Sequence, residues 1–289
     1  MIKIMTTIIF ILCLSFTPIA NATLQQAIRT AYENGRYSTA LYYLHQILKL
    51  RPNDVHLLTD MGSALNELGN YTGAISFYKR ALALDPHHIG ALSGIGLTLD
   101  ILGNRASAVT YFKQVLALPP HNDTELIERA LVFVHLRNFV QATDIINQVL
   151  KAQPGNIYAL STKGAILLYE KNATGALALF NRILTTHPDL TAALDNKGIA
   201  LEELGNHTGA LSILNTALKL DPRDEYAFYI KALVLIELGL HTHNLGDLGV
   251  ALENLDMALD INPNLDDKDA LHMKTLLTQL LRQYGYMKQ

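Results

Sequence analysis

The sequence has almost no cysteine and no tryptophan. Its single cysteine, Cys13, lies in the apolar N-terminal segment of the 289-residue chain. One thiol can form neither an internal disulfide nor a cysteine-rich zinc site, so both ways of stabilising a fold are excluded. We therefore expect the fold to depend on the packing of apolar side chains alone.

Charge of either sign is also scarce. The chain has 23 Lys and Arg against 26 Asp and Glu, a formal net charge of −3, and charged residues make up 17% of it. Nucleic-acid-binding proteins usually carry a basic excess, and disordered chains combine few apolar residues with high net charge. With 49% hydrophobic residues, this chain is typical of neither class and is predicted to fold.

The first 22 residues have the pattern of an export signal. Lys3 supplies the positive charge, an apolar run extends from Ile4 to Phe16, and Ala20-Asn21-Ala22 places small residues where signal peptidase cleaves. We predict cleavage after Ala22 and a secreted or cell-envelope protein. The alternative is an uncleaved membrane anchor, but the run is shorter than the roughly 20 residues that span a bilayer.

Proline recurs with a fixed period through the rest of the chain. Six prolines are spaced 34 residues apart, and a seventh follows after 41 residues: Pro52, Pro86, Pro120, Pro154, Pro188, Pro222 and Pro263. A fixed period of this length indicates tandem structural repeats. We predict seven repeats over residues 23–264, the seventh with a seven-residue insertion near 240–246.

Small and large residues also recur at fixed repeat positions when each proline is numbered 32. Position 20 is alanine in all seven copies, and position 8 is Gly or Ala from the second copy onward. Position 24 is always large: Leu44, Tyr78, Phe112, Ile146, Phe180, Leu214 and Leu255. Small residues allow two helices to approach closely, and the large residues fill the remaining space.

Each repeat is predicted to be a helical hairpin. Apolar residues recur at helical spacing on both sides of a break at positions 15 and 16, which separates a helix A from a helix B. We expect threonine hydroxyls at position 18 to cap helix B, namely those of Thr72, Thr174 and Thr208. Glycines are suited to the left-handed conformation that ends helix A: Gly69, Gly103, Gly205 and Gly239.

This 34-residue pattern resembles the tetratricopeptide repeat family, which has a small residue at position 8, Ala at 20 and Pro at 32. The resemblance implies an all-α fold, an α-solenoid in which helix-turn-helix hairpins form a right-handed superhelix. Residues 265–289 are predicted to be a C-terminal capping helix and tail. That helix would be amphipathic, with leucines on or near one face: Leu271, Leu276, Leu277, Leu280 and Leu281.

The resemblance also implies a non-enzymatic scaffold that binds another protein or peptide in a concave groove lined by helix A. Positions 2, 5, 9, 12 and 13 face that groove in the family. The candidate contacts are four tyrosines, Tyr158, Tyr169, Tyr226 and Tyr229, and two acidic residues, Glu202 and Glu237. Tyrosine offers a large contact area at low entropic cost, and the acidic residues favour a ligand with some basic character. The alternative is that the tyrosines only pack against neighbouring helices.

Chaperone-binding members of the family hold a C-terminal carboxylate with basic residues in the groove. Here positions 5 and 9 carry a single base, Arg29, so that type of recognition is not expected.

Position 7 suggests a second binding hypothesis. It carries a cation in four successive copies: Arg129, Lys163, Lys197 and Lys231. Such a ladder could bind a polyanionic ligand, either a glycan or an acidic peptide. The alternative is that the long side chains lie along the helix interface and only their charged ends reach water.

Four Asn-x-Thr sequons could carry glycans in an exported protein: Asn70, Asn122, Asn172 and Asn206. Asparagine is equally suited to a helix-hairpin turn, so the sequons admit a purely structural explanation. His241 and His243 lie in the insertion, where we expect a solvated loop without metal. No catalytic or cofactor-binding motif is present, so we predict no enzyme activity, no cofactor and no nucleic-acid partner; self-association remains possible.

Overall fold

The computed structural model describes residues 18–33, 35–263, 265 and 269–286. Within these residues all regular secondary structure is helical, with fifteen helices and no strand, as the repeat pattern predicts. Residues 1–17, which hold most of the predicted export signal, lie outside the described residues.

The helices follow one another with short connections. In chain order they are α1 (Pro18–Glu33), α2 (Tyr37–Leu50), α3 (Val55–Glu67), α4 (Tyr71–Leu84), α5 (Ile89–Ile101), α6 (Arg105–Ala117), α7 (Asp123–His135), α8 (Phe139–Ala152), α9 (Ile157–Tyr169), α10 (Ala173–Thr186), α11 (Thr191–Glu203), α12 (His207–Leu220), α13 (Glu225–Thr242), α14 (Leu245–Ile261) and α15 (Asp269–Gln283). The odd-numbered helices from α1 to α13 are the A helices of the seven repeats, and the even-numbered helices are the B helices.

The helices belong to two compact units. The first extends to His88 and contains α1–α4, and the second begins at Ile89 and contains α5–α15. In the second unit, each helix A packs against the A helix of the next repeat and against the B helix of the preceding one. One apolar cluster, for example, joins Leu194 and Leu214 of the sixth repeat to Ile230 of the seventh. Each repeat is therefore stabilised by its neighbours.

The contact between positions 8 and 24 sets how closely the two helices of a hairpin approach. A Cβ atom on Gly96 would lie 2.6 Å from the ring of Phe112, and one on Gly164 would lie 2.5 Å from the ring of Phe180. Both rings are completely buried. Glycine at position 8 therefore makes room for an aromatic ring at position 24.

The fourth repeat has a different pair at the same place. Ala130 at position 8 and Ile146 at position 24 are both fully buried in one apolar cluster. Where position 8 is Ala, which is larger than Gly, position 24 here carries an aliphatic side chain. The aromatic rings of Phe112 and Phe180 instead lie opposite glycine.

Helix B is capped by asparagine and not by the threonines that we expected. The Oδ1 atom of Asn70 accepts a hydrogen bond from the backbone N–H of Gly73 at 3.0 Å. Asn at position 16 caps helix B in the second to sixth repeats, and Asn244 caps α14 in the seventh. The threonine prediction was wrong because Thr72 is the second residue inside the helix. A capping side chain must precede the helix to reach the free N–H groups of its first turn.

The insertion in the seventh repeat lengthens both helices and does not form the expected loop. Helix α13 has 18 residues where α11 has 13, and α14 has 17 where α12 has 14. The turn between α13 and α14 is reduced to His243, in a left-handed conformation, and Asn244. Gly239 accordingly lies inside α13 and does not end it.

Helix α15 packs against α14 at the C-terminal end of the second unit. Leu277 and Leu281 are buried in a cluster with Leu252 and Leu255 of α14. Two of the leucines that were expected on or near the apolar face, Leu271 and Leu276, are exposed instead. The buried face of α15 is therefore narrower than the leucine pattern suggests.

We predict that Gly96→Ala destabilises the protein by about 1–2 kcal/mol. The new methyl group would overpack the buried ring of Phe112, which costs more than the helix gains by exchanging Gly for Ala. Urea unfolding followed by far-UV circular dichroism measures the change.

The control is Gly155→Ala, because nothing lies within 4 Å of a Cβ atom at that position. In the Gly96→Ala background, Phe112→Ile should restore part of the stability by reproducing the Ala–Ile pair of the fourth repeat. Equal effects of Gly96→Ala and Gly155→Ala would contradict the packing argument.

Candidate functional site

The candidate site is the face that the A helices form in the second unit. Helices α5, α7, α9, α11 and α13 lie side by side, each in contact with the next. Position 9 contributes an apolar row of half-buried side chains: Leu97, Leu131, Ala165, Ile199 and Leu233. This A-helix face therefore presents apolar surface to solvent along five successive repeats.

Two of the four predicted contact tyrosines, Tyr158 and Tyr226, are exposed on the first turns of their helices. Both occupy position 2, and their exposed fractions are 57% and 43%. A ligand lying on the A-helix face would meet these rings without any rearrangement of the core. Their exposure is what the sequence-based binding hypothesis requires.

Tyr169 and Tyr229 have packing contacts as well. The ring of Tyr169 stacks on that of Phe139 at 5.6 Å between centroids and 16° between planes, although 56% of Tyr169 remains exposed. Tyr229 is half-buried against the apolar cluster of α13–α15. Tyr169 is thus exposed as well as stacked, whereas Tyr229 is the least accessible of the four tyrosines.

Glu202 and Glu237 come together at one edge of the A-helix face. Their carboxyl groups lie within hydrogen-bonding reach, and burial together with the nearby Glu237 raises the pKa of Glu202 to about 7. The two residues line an open cavity of about 500 Å³ with Glu203 and Lys171, whose charged groups pair at 3.1 Å. Two glutamates predicted from sequence thus form one acidic site.

A second carboxyl pair was not foreseen. Asp195, only 7% exposed, shares a hydrogen bond with Asp224, and burial followed by the charge of Asp224 raises the pKa of Asp195. Asp224 also caps α13 by accepting the N–H of Ala227 at 3.0 Å. Asp195 lies at position 5, two helical turns before Glu202 on the same face of α11. This spacing could have identified Asp195 as a further acidic residue of the A-helix face.

Asp100, Arg105 and His135 form a third polar group, also unforeseen, at the turn side of the same face. Arg105 Nη1 lies 2.7 Å from Asp100 Oδ1, and His135 Nδ1 lies 2.8 Å from Asp100 Oδ2. Arg105 also donates through Nη2 to the carbonyl of His135 at 2.6 Å. These bonds fix the end of α7 relative to α5 and α6. Asp100 and His135 are too far apart in sequence to form a recognisable motif, so this group could not be predicted.

The four cations at position 7 lie between successive repeats. Arg129 donates to the carbonyl of Leu116 at 3.0 Å, close to the C-terminus of α6, and Lys163 donates to Asn147 Oδ1 at 2.7 Å. Lys197 and Lys231 are half-buried, and burial lowers the pKa of Lys231. Position 7 thus faces the preceding helix B, where cations near a helix C-terminus are electrostatically favourable.

The sequon asparagines are exposed, as glycosylation requires. Three of them, Asn70, Asn172 and Asn206, cap helix B through Oδ1. Asn104 and Asn138 cap in the same way without belonging to a sequon, so capping alone accounts for asparagine at position 16. Glycosylation of the sequons stays a prediction.

His241 lies in the last turn of α13, and His243 follows it in the turn. Across the described ranges, no three His, Cys, Asp or Glu side chains are grouped so that they could hold a metal ion. In the same part of the chain, no helix has both the length and the apolar character needed to cross a membrane.

We predict that Glu237→Gln raises stability at pH 8 by about 0.5–1 kcal/mol and leaves it unchanged at pH 5. A pKa raised from 4.5 to about 7 means that Glu202 favours folding fully below pH 4.5 and loses this contribution as the pH rises through 7. Removal of the neighbouring charge reduces that loss, and the gain is small because water screens the half-exposed pair.

Urea unfolding at both pH values and NMR titration of the Glu202 carboxyl carbon measure these effects. Glu253→Gln, at an exposed position of α14, serves as the control and should change neither quantity. A Glu202 carboxyl that titrates near 4.5 in the unaltered protein would contradict the pairing.

Comparisons with known proteins agree with this architecture. Sequence profiles described as "Tetratricopeptide repeat" match residues 26–89 and 196–266 and residues 89–122. No curated protein sequence matches the chain. Residues 123–195 lie outside the profile matches, yet their four helices keep the same boundaries within the repeat.

Two solved structures share the fold. A tetratricopeptide repeat protein from Parabacteroides merdae has 15% identity and a TM-score of 0.59, with 89% of this chain and 98% of that chain covered. A chain of the APC/C hetero-tetramer Cut9–Hcn1 has 19% identity and a TM-score of 0.53, with 86% of this chain covered. This chain spans 48% of the length of that relative. Since the profile matches cover more than half of the sequence, the chain belongs to the tetratricopeptide repeat family.

Proposed function

We propose that the protein is a non-enzymatic scaffold that binds an extended segment of another protein on the A-helix face of the second unit. The observation that carries this proposal is the exposure of Tyr158 and Tyr226 beside the half-buried apolar row at position 9. A face preorganised by helix packing requires only the ligand to lose conformational entropy on binding.

The acidic residues indicate the chemistry of one end of the ligand. Glu202, Glu203 and Glu237 line the same cavity, and within the described residues Lys171 is the only cation that lines it with them. Burial and the neighbouring Glu237 raise the pKa of Glu202, and a basic side chain placed there would favour its charged form. The bound segment is therefore proposed to place a Lys or Arg near the sixth and seventh repeats.

We propose that this scaffold acts outside the cytoplasmic membrane. The support comes from sequence alone: the charge of Lys3, the apolar run from Ile4 to Phe16 and the small residues Ala20 and Ala22. Cleavage after Ala22 would leave Thr23 as the first residue of α1 and preserve the hairpin of α1 and α2. Retention of the N-terminal segment as a membrane anchor is the alternative.

The structure favours the scaffold over capture of a polyanion. Arg129 and Lys163 already bind protein oxygens, and the half-buried Lys197 and Lys231 lie at the equivalent position between repeats. A polyanion would have to compete for cations that help to hold neighbouring repeats together.

We predict that a photo-crosslinking residue at position 158 or 226 captures the partner protein, because both side chains reach solvent on the A-helix face. Affinity capture with Tyr158→Ala/Tyr226→Ala should recover at least about tenfold less of that partner, as expected for the loss of two aromatic contacts. Mass spectrometry of crosslinked and captured material measures both effects.

Position 42 provides the matched control. Tyr42 is 62% exposed but lies on a B helix, α2, so a crosslinker there should not capture the same protein and Tyr42→Ala should not reduce its recovery. Equal capture from positions 42, 158 and 226 would contradict binding on the A-helix face.

We predict that Lys163→Met/Lys197→Met leaves heparin and polyglutamate binding unchanged and alters stability by less than about 1 kcal/mol. The long stems can still pack between repeats after their charges are removed. Fluorescence titration at low and high salt measures the affinity. A steep loss of polyanion affinity in this variant would instead support the ladder hypothesis.

A further inference from the structure

A small cavity lies at the turn side of the A-helix face, where the third, fourth and fifth repeats meet. Its volume is about 240 Å³, and its lining includes Asp100, Arg105, His135, Arg137 and Tyr169. We call it the rim pocket. It does not include the carboxyl groups of the acidic site formed by Glu202 and Glu237.

The charges around the rim pocket do not balance. Asp100 is already paired with Arg105 and bonded to His135. The guanidinium carbon of Arg137 lies 5.7 Å from the centre of the Tyr169 ring, and no carboxylate among the described residues pairs with Arg137. The pocket therefore has a net positive charge, carried by a guanidinium whose planar fork matches a carboxylate.

Three side chains of the pocket, those of Tyr169, Arg105 and His135, are held in place by contacts within the protein. Tyr169 is stacked on Phe139, and Arg105 bonds both the carboxylate of Asp100 and the backbone carbonyl of His135. The bond from His135 Nδ1 to Asp100 sets the orientation of the imidazole and leaves Nε2 without a hydrogen-bond partner among the described residues. The pocket thus offers two polar groups, on Arg137 and His135, beside an aromatic wall.

Arg137 occupies its position at a conformational cost. Its φ is 61°, in the left-handed region, whereas the same repeat position is glycine in four other copies: Gly35, Gly69, Gly103 and Gly205. An L-residue in this conformation is strained relative to glycine. Lys171 has the same φ one repeat later, but its ammonium group is paired with Glu203.

From this geometry we propose that the rim pocket binds a carboxylate group, paired with Arg137 and flanked by Tyr169 and His135. This rests on the proposed function, because the carboxylate would belong to the protein segment on the A-helix face. The segment would then place its acidic group near the fourth repeat and its basic group near the sixth and seventh. This pocket differs from the groove of the carboxylate-binding members of the family, whose basic residues lie on the A helices. Here Arg137 lies in a turn, and positions 5 and 9 contribute no cation to the pocket.

The test is an NMR titration of the full chain with small probes. N-acetyl-glutamate α-amide carries a side-chain carboxylate, N-acetyl-alanine carries a terminal carboxylate, and N-acetyl-glutamine α-amide carries neither. We expect at least one of the carboxylate probes to shift the side-chain signals of Arg137 and His135, and the amide to leave them unchanged. The stronger of the first two probes identifies whether the carboxylate comes from a side chain or a chain end.

Two matched variants separate binding from folding. Arg137→Gly should raise the Kd for the carboxylate probe about tenfold, as expected for the loss of a charge-assisted contact, while its Tm stays at or above that of the parent because glycine adopts the left-handed conformation without strain. Lys171→Gly relieves the same strain one repeat away and should leave the Kd unchanged.

The proposal is overturned if neither carboxylate probe shifts Arg137 and His135, if chloride or the amide shifts them equally, or if Arg137→Gly and Lys171→Gly weaken binding alike. These outcomes do not depend on partner capture. A carboxylate probe that binds at Arg137, together with a failed capture at positions 158 and 226, would refute the scaffold function and leave the pocket established.

Discussion

The close approach of helix A to helix B is the constraint on which the rest of the structure depends. It is set by a small residue at position 8 against a large one at position 24, as with Gly96 and Phe112. Because a small residue faces a large one from the second repeat onward, successive hairpins present similar surfaces to one another. The A helices can then lie in a row and expose positions 2, 9, 12 and 13 on one face.

Much of this architecture can be predicted from the sequence, because the residues that set it recur every 34 positions. The alanines at position 20 and the large residues at position 24 are almost all completely buried, as Ala108 and Phe112 illustrate. Local chemistry was harder to predict. Both Asn70 and Thr72 are suited to a helix N-terminus, and only the first helical residue, Tyr71, shows that asparagine is the cap. The insertion likewise extended helices where its histidines suggested a loop.

The polar sites on the A-helix face were only partly predictable. Glu202 and Glu237 could be assigned to the groove by repeat position, but their pairing depends on how two helices are placed. Asp100 and His135 are 35 residues apart in sequence, and neither belongs to a motif. Repeat position gives the face on which a side chain lies, whereas charge pairing depends on side-chain conformations that differ between repeats. This is why the cations at position 7 matched a ladder in sequence, although Arg129 and Lys163 bind protein oxygens in the structure.

The lengthened hairpin of the seventh repeat makes the two ends of the A-helix face unequal. Five additional residues in α13 relative to α11 correspond to a projection of about 7 Å at the usual rise per residue. The turn between α13 and α14 is therefore expected to extend beyond the turn of the preceding repeat. A segment bound along this face therefore meets a longer A helix at the seventh repeat than at the sixth, and this difference distinguishes one register of binding from another.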